Sequence, residues 1–181
     1  MTARFKYAIP LGVAIAILLI LWMSLRLTPS QLPSPLLNKP LPDFKLKELN
    51  EQQWVSSHDL TGHITILNIW ASWCEACLAE HTQLLKLSQN KQIQIVGLNY
   101  KDNSTAAEHW LQNYGNPYSI IGFDHDGQVG FKLGVYGTPE TFIIDKQGII
   151  RYKHIGPIDE AVYNKEIKPL IEQLTSEHDY G

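Results

Sequence analysis

The stretch ITILNIWASWCEAC, residues 64–77, joins a β-type run to the only two cysteines of the chain. Its first half, from Ile64 to Trp70, is continuously apolar, which is typical of a central strand buried on both faces. Cys74 and Cys77 follow with two residues between them, where a helical pattern begins. Unpaired N–H groups at a helix start stabilise a thiolate, so this pair can cycle between dithiol and disulfide.

Two other interpretations of the cysteine pair are weaker. A structural disulfide this local closes a very small loop and would stabilise the fold little. Half of a zinc site would need a second Cys/His pair at ligand spacing, and the sequence offers none. We therefore predict redox chemistry with no metal and no cofactor. Cys74, at the helix start, is the expected nucleophile, and Cys77, one turn further on, is the resolving thiol.

An uncharged, mostly apolar stretch runs from Ala8 to Leu25. At about 1.5 Å per residue it reaches roughly 27 Å, enough to cross the hydrocarbon of a bilayer as a helix. A cleaved signal peptide would have a shorter apolar region and a small-x-small site, which is missing here. We predict a membrane anchor at residues 1–26, and the positive-inside rule places its N-terminus in the cytoplasm.

Residues 27–42 carry five prolines, which predict an extended and semi-rigid linker. Residues 43–176 then alternate β-type and helical patterns and end in a hairpin and a helix, which predicts one α/β domain with helices on both faces of a mixed sheet. The net charge is −3, and all 18 acidic residues lie at or after Asp43. This acidic outer domain argues against nucleic acid as a partner. With the N-terminus in the cytoplasm, Cys74 and Cys77 would lie on the outer side of the membrane, in an oxidising compartment.

Gly137-Thr-Pro-Glu-Thr141 is the second informative stretch. A proline directly before a strand is unusual and needs a reason. A cis Thr138–Pro139 bond would expose backbone groups of Thr138 to an extended peptide, although only about 5–6 % of X-Pro bonds are cis. Trp73, beside the first cysteine, is either a packing aromatic or a flat shoulder for substrate.

These residues resemble the thioredoxin-like oxidoreductases, and in particular the membrane-anchored thiol:disulfide interchange proteins of cytochrome c maturation, the CcmG/DsbE type. The similarity covers nearly the whole chain. It is carried by the matching stretches at 35–44, 68–74, 80–81, 116–118 and 134–142.

The resemblance implies a thioredoxin-like fold with a mixed sheet and an N-terminal transmembrane helix. It also implies a periplasmic reductant, single-pass in the inner membrane. Such proteins receive electrons from a membrane thiol-disulfide donor and reduce apocytochrome c, or a partner thiol protein of haem ligation. By the same resemblance, Pro139 is cis and lies against the cysteine pair.

Thioredoxins usually keep a buried acid six residues before the first cysteine, but this position holds Asn68, which cannot titrate. The resemblance favours Glu80 and Glu140 as acids that tune the thiols. From the sequence alone, Glu80 could equally be a solvated helix residue. His81 is expected at the surface.

Glu75 is the departure from the family pattern, which commonly has proline there. An acid in the first turn suits the helix dipole, by about 0.3–1 kcal/mol. The same anion repels the neighbouring thiolate. We predict a Cys74 pKa above that of a Glu75→Pro variant, and a more reducing disulfide.

Three functions stay open at this point. The first is a dedicated reductant of cytochrome c maturation. The second is a periplasmic reductase of wider range, or an oxidase. The third is a module that binds apocytochrome without redox turnover.

Overall fold

The computed structural model describes residues 3–25, 34–50 and 53–176, and in the first range it describes side chains for residues 9–23. The chain divides into two compact units, Met1–Leu32 and Pro33–Gly181. The described residues of the first unit form the helix α1, at Ala3–Leu25. Within the part of the chain that the structure describes, no helix is both long enough and apolar enough to cross a membrane. The predicted transmembrane helix is therefore not confirmed.

The second unit is an α/β fold built on a mixed five-stranded sheet. Its strands are β3 (Ile64–Trp70), β4 (Ile93–Tyr100), β5 (Ile120–Asp124), β6 (Glu140–Ile144) and β7 (Ile150–Ile155), and a separate hairpin pairs β1 (Lys45–Lys47) with β2 (Trp54–Ser56). The helices are α2 (Glu75–Leu87), α3 (Ser104–Tyr114), α4 (Gln128–Lys132), α5 (Glu160–Val162) and α6 (Lys168–Ser176), with a 3-10 helix at Ser57–Leu60 and a π-helix at Tyr163–Ile167.

The strand order is β5-β4-β3-β6-β7, so the strand that leads into the cysteines is the central one. It pairs in parallel with β4 and antiparallel with β6. All seven of its residues are buried, as its continuous apolar sequence predicts. The predicted hairpin of β6 and β7 is also confirmed, with its turn closed by the bond from Gly148 N to Asp145 O.

Alternate residues of β3 point into two cores, one on each face of the sheet. One core packs Ile64, Ile66 and Trp70 against side chains of α2, α3 and α6. The other packs Leu67 and Ile69 against α4, the 3-10 helix and the segment before β1. Both faces of the predicted mixed sheet are therefore covered by helices.

Part of the stretch predicted as a linker is folded against this unit. Asn38 N donates to Ile150 O, and Leu41 N donates to Gly148 O, each at 2.8 Å. Leu41 is 7 % exposed. The prolines of this stretch suit such a path because an extended edge segment needs few donors of its own.

The C-terminal helical segment is interrupted just before Pro169. Asp159 caps its start by accepting from Val162 N at 2.7 Å. The interruption lies before the proline, as the π-helix Tyr163–Ile167. Since Pro169 has no N–H to continue the α-helical pattern, the preceding turn takes the wider hydrogen-bond spacing.

Candidate active site

The two cysteines form a disulfide at the start of α2. The S–S distance is 2.04 Å and the Cα atoms are 5.3 Å apart. Cys74 is the N-cap residue, and its Sγ accepts from Cys77 N at 3.1 Å. A backbone donor directed at this sulfur would also stabilise a thiolate there, which is what nucleophile chemistry needs. Both residues are buried, with Cys74 at 6 % and Cys77 at 2 % exposure.

The turn that leads into Cys74 is anchored by the buried carboxylate of Asp102, which follows β4. Its Oδ2 accepts from Ser72 N at 2.6 Å, and its Oδ1 accepts from Ser72 Oγ at 2.7 Å. Two further donors, Asn99 Nδ2 and Asn103 N, complete its coordination at 2.9 and 2.8 Å. Sequence reasoning missed Asp102, because nothing local marks an aspartate that bonds 30 residues away.

Trp73 stands on the same turn with its ring largely exposed, at 58 %. Its indole Nε1 donates to Lys101 O at 3.1 Å. The ring is thus held by one edge, while more than half of the residue's surface is exposed to solvent. Of the two sequence interpretations, a flat surface beside the cysteines agrees better with this exposure than a packing role does.

The Thr138–Pro139 peptide bond is cis. Because Ile69 pairs with Glu140 in antiparallel register, residue 139 is level with Trp70. Pro139 therefore lies at the end of β3 from which the cysteine turn begins. Its carbonyl accepts from Gly156 N at 2.9 Å, and Thr138 Oγ1 is buried without a hydrogen-bond partner.

Glu140 is fully buried, and its carboxylate already has partners. Oε1 accepts from the backbone N–H groups of Tyr136 and Gly137 at 2.7 and 3.3 Å. Oε2 pairs with Lys153 Nζ at 2.9 Å. The predicted role as an acid that tunes the thiols stays a prediction, since the structure shows instead a carboxylate that holds the loop before Pro139.

Glu80 is buried at 1 % exposure, which excludes the solvated-helix interpretation. Its Oε1 accepts from Asn68 Nδ2 at 2.8 Å, and its Oε2 accepts from Ile158 N at 2.9 Å. Burial raises its pKa to about 7 against the opposing effect of these two hydrogen bonds. Glu80 also lies three residues after Cys77, on the same helix. A buried acid that titrates near neutrality is thus present on the helix of the resolving cysteine.

Asn68 is the link between this acid and the rest of the site. Its Nδ2 also donates to Thr141 Oγ1 at 3.1 Å, and its Oδ1 accepts from Tyr118 OH at 2.8 Å. Burial, and then the negative charge of Glu80, raise the pKa of Tyr118 well above its ordinary value. Tyr118 therefore stays a neutral donor. Its contribution was missed from the sequence, although it belongs to one of the family-like stretches.

His81 corrects the expectation of a surface residue, since it is only 3 % exposed. Its Nε2–H donates to the carbonyls of Tyr114 and Gly115 at 3.2 and 3.1 Å. Burial lowers its pKa, so the imidazole is neutral at physiological pH. The reason is packing, because its ring contacts Trp110 of α3 edge to face.

Glu75 is exposed at the first position of α2. Its carboxylate is therefore close in sequence to both thiols and open to solvent. Across residues 3–25, 34–50 and 53–176, no three His, Cys, Asp or Glu side chains are grouped to hold a metal ion. The arrangement as a whole suits thiol–disulfide exchange: a nucleophile at a helix N-terminus, a resolving thiol, a buried acid and a cis proline at the end of the strand that leads to the cysteines.

Comparison with known proteins agrees with this chemistry. The model of the Redoxin family matches residues 36–167. The thiol:disulfide interchange protein DsbE of Allochromatium vinosum is 41 % identical over 171 residues, which are 94 % of each chain. The protein of the same name from Escherichia coli K12 is 48 % identical over 151 residues, 82 % of this chain and 81 % of that one. A crystal structure described as a DsbE from Chlorobium tepidum superposes with a TM-score of 0.59 at 28 % identity, covering 74 % of this chain and 93 % of the other.

Proposed function

Because the chain belongs to the redoxin family, among the thiol:disulfide interchange proteins of the DsbE type, we propose that it is a membrane-anchored periplasmic reductant of cytochrome c maturation. It is a thiol–disulfide oxidoreductase, and its client would be apocytochrome c or a thiol protein of haem ligation. The observation that carries this proposal is the Cys74–Cys77 disulfide at the N-terminus of α2, on the turn that lies level with cis Pro139.

The reaction begins from the reduced pair. The Cys74 thiolate attacks one sulfur of the client disulfide, so the client S–S bond breaks and a mixed disulfide forms. One client sulfur leaves as thiolate and takes up a proton. Cys77 then loses its proton and attacks Cys74 Sγ, which closes the Cys74–Cys77 disulfide and releases the second client sulfur. Two electrons and two protons pass to the client.

The proton of Cys77 needs an acceptor inside the protein, because this thiol is almost fully buried. We assign that role to Glu80, whose pKa is about 7 and whose side chain is buried on the same helix. Near neutral pH a substantial fraction of Glu80 is ionised and can take a proton. An Asp six residues before Cys74 would serve in a thioredoxin, but here Asn68 can only hold the acid in place.

A haem-ligation client is supported by the stretches that resemble the cytochrome c maturation type, above all residues 134–142. These residues include the loop held by Glu140 and the cis proline. An unfolded client would approach the backbone of Thr138 in extended form and bind it through main-chain hydrogen bonds. Residues outside the Cys-x-x-Cys motif would then decide which disulfides are reduced.

We propose the anchor and the recharging partner from the sequence. The uncharged run Ala8–Leu25 would cross the inner membrane once and leave the redox domain on the periplasmic side. A membrane thiol-disulfide donor would then return the pair to the dithiol form. Fractionation of cells tests the anchor: the full chain should resist alkaline extraction from membranes, and a chain lacking residues 1–26 should be released. Release of both chains would exclude the anchor.

Trapping tests the proposed reaction. In the full chain, Cys77→Ala should accumulate a mixed disulfide through Cys74 with a peptide that contains oxidised Cys-x-x-Cys-His. The matched Cys74→Ala variant should trap far less, since Cys77 is not the first nucleophile. Equal trapping by both variants would reverse the two roles. In cells, the proteins captured by Cys77→Ala should include c-type cytochromes or haem-ligation thiol proteins, and captured proteins of unrelated function would instead show a reductase of wider range.

Two measurements separate the remaining alternatives. Equilibration with glutathione gives the reduction potential, and a potential well above those of reductases would show an oxidase. A variant with Ser at both Cys74 and Cys77 should support no cytochrome c maturation. Maturation that survives this replacement would show a module that only binds its client.

A further inference from the structure

Lys153, on β7, carries a buried positive charge that the proposed function does not yet explain. Its side chain is 4 % exposed, and its Nζ pairs with Glu140 Oε2 at 2.9 Å. The same Nζ donates to Gly134 O at 2.7 Å. Buried lysines are uncommon because removing an ammonium group from water is costly, so this one needs a specific partner set.

The partner set is the loop from Gly134 to Pro139. Lys153 bonds to the carbonyl at its start, and Glu140 accepts from the N–H groups of Tyr136 and Gly137 in its middle. Because Glu140 and Lys153 also pair with each other, the loop is held from inside by one buried ion pair. The cis Thr138–Pro139 bond lies at the end of this loop, directly before Glu140.

The loop that this ion pair holds exposes the side chain of Tyr136. It is 71 % exposed, and Lys153 Nζ lies 4.8 Å from its centroid. A cation beneath one face of an aromatic ring is attracted by the ring's quadrupole and limits where the ring can go. Tyr136 therefore presents its other face to solvent, two residues before Thr138.

Resting on the proposed function, we propose that Tyr136 is a specificity-determining residue that contacts the client polypeptide next to its disulfide, and that Lys153 and Glu140 are positioning residues for it. The client chemistry is an extended peptide with an apolar or aromatic side chain beside a Cys-x-x-Cys disulfide. Such a side chain can stack on a ring that is flat, amphipathic and already ordered, so little conformational entropy is lost on binding.

An apolar contact would hold the loop at a smaller cost in desolvation free energy than a buried ion pair, because both charges of the pair must be removed from water. The geometry explains why a charge is used. One ammonium group donates to Gly134 O, balances the carboxylate that binds two loop N–H groups, and lies under the Tyr136 ring. No aliphatic side chain could do all three.

Single-turnover reduction of an oxidised peptide with a Cys-x-x-Cys-His core tests the inference. Reduced full-length protein is mixed with increasing peptide, and the rates give a half-saturating concentration and a limiting rate. Tyr136→Ala should raise the half-saturating concentration about tenfold, or about 1.4 kcal/mol, while the limiting rate changes less than about twofold. Tyr136→Phe should stay near wild type, because the ring is kept.

Lys153→Met should shift the half-saturating concentration in the same direction, and Lys153→Arg should restore most of it. Should Lys153→Met fail to fold because Glu140 is left unpaired, the double variant Glu140→Gln/Lys153→Met replaces it, and the Tyr136 variants decide independently. Trp54→Ala and Lys45→Met are the matched controls. They disrupt another Lys–aromatic pair, 5.0 Å apart on the β1–β2 hairpin, and should change neither parameter.

Failure of the inference and failure of the proposed function give different results. Wild-type protein that does not reduce the peptide would overturn the proposed function. Wild-type protein that reduces it, with an unchanged half-saturating concentration in Tyr136→Ala, would overturn the inference alone. A fall in the limiting rate without a change in half-saturation would also overturn it, because that pattern belongs to chemistry and not to client binding.

Discussion

The side-chain amide of Asn68 donates a hydrogen bond of 2.8 Å to the carboxylate of Glu80, and both residues are buried. Asn68 occupies the strand position where thioredoxins usually keep a buried acid. In this chain the buried acid, Glu80, lies on α2 instead, and Asn68 on β3 supplies its hydrogen-bond donor. The relationship makes Glu80 the group whose titration should be visible in both stability and thiol chemistry.

Replacing Glu80 by Gln should change how stability depends on pH. Burial raises the pKa of Glu80 from 4.5 to about 7, so between these values the folded protein binds more protons than the unfolded chain. The contribution of Glu80 to stability is therefore present below pH 4.5 and is lost as the pH rises through 7. Over this pH range we expect the contribution of Glu80 to the free energy of unfolding to fall by about 3 kcal/mol.

Urea unfolding of the oxidised protein from pH 4.5 to 8 measures this effect. Relative to wild type, Glu80→Gln should show a constant offset from its altered hydrogen bonds, plus a difference that grows in its favour as the pH rises. Parallel stability curves for the two proteins would contradict the raised pKa of Glu80.

Asn68→Asp should produce a strongly pH-sensitive protein. The substitution places a carboxylate oxygen where Asn68 Nδ2 now donates to Glu80, so two buried carboxyl groups would share one proton. At pH 8 the folded protein must either retain that proton against the solvent or bury two negative charges, so we expect a loss of about 3–5 kcal/mol in the free energy of unfolding. Acidic pH should restore much of it.

The swapped double variant, Asn68→Asp with Glu80→Gln, is the control for this prediction. It keeps one amide and one carboxyl group at the same two positions, so most of the lost stability at pH 8 should return. If the double variant is as unstable at pH 8 as Asn68→Asp alone, charge repulsion is not the cause.

The sequence predicted those parts of the fold and site that depend on local pattern. The β3 run, the cysteine pair at a helix start and the hairpin near the C-terminus all depend on residues close together in the chain. The cis state of Pro139 came from family resemblance, because cis bonds are too rare for the sequence alone to indicate one.

The contacts that complete the site were not predictable in this way. Glu80 is buried because Ile158, 78 residues later, donates to it, and a helical pattern does not report such a contact. His81 was expected at the surface, since the packing of α3 against α2 is not visible in either helix alone. Lys153 and Glu140 lie on adjacent strands, but their pairing needs the register of the hairpin.

Removing the charge of Glu75 should make the disulfide less reducing. Glu75 is exposed at the first position of α2, beside the N-cap Cys74. Without its anion the Cys74 thiolate gains stability, so the reduced form is favoured and the reduction potential rises. For an effect of about 0.5–1 kcal/mol, we expect a rise of about 10–20 mV in Glu75→Gln, measured against glutathione at pH 8.

Glu75→Pro should shift the potential in the same direction, because proline is well accepted at the first position of a helix. Thiolate absorbance in the reduced proteins gives an independent measure, and its midpoint should be lower in both variants than in wild type. Thiolate midpoints in the variants that equal or exceed the wild-type midpoint would contradict a role of Glu75 in redox tuning.

Gly97→Ala should destabilise the protein by overpacking the core beneath the site. Gly97 lies on β4, where a Cβ atom would come within 2.8 Å of Trp70 Nε1 and 3.0 Å of Tyr118 Cγ. The rings of Trp70 and Tyr118 are stacked with centroids 5.4 Å apart, and both residues are buried, so neither can move freely. We expect a loss of about 1–3 kcal/mol in urea unfolding. Gly137→Ala, whose Cβ would meet nothing within 4 Å, is the matched control and should change stability little.

Gly97→Ala should also change the ionisation of Glu80, because Tyr118 OH donates to Asn68 Oδ1 and Asn68 Nδ2 donates to Glu80. A displaced Tyr118 leaves Asn68 with an unsatisfied acceptor and loosens the donor that partly stabilises the Glu80 carboxylate. The Glu80 midpoint, read from the pH dependence of unfolding, should therefore move upward in Gly97→Ala and stay in place in Gly137→Ala. A Gly97→Ala protein that is destabilised but keeps the wild-type midpoint would show that Tyr118 and Asn68 support the core without setting the ionisation of Glu80.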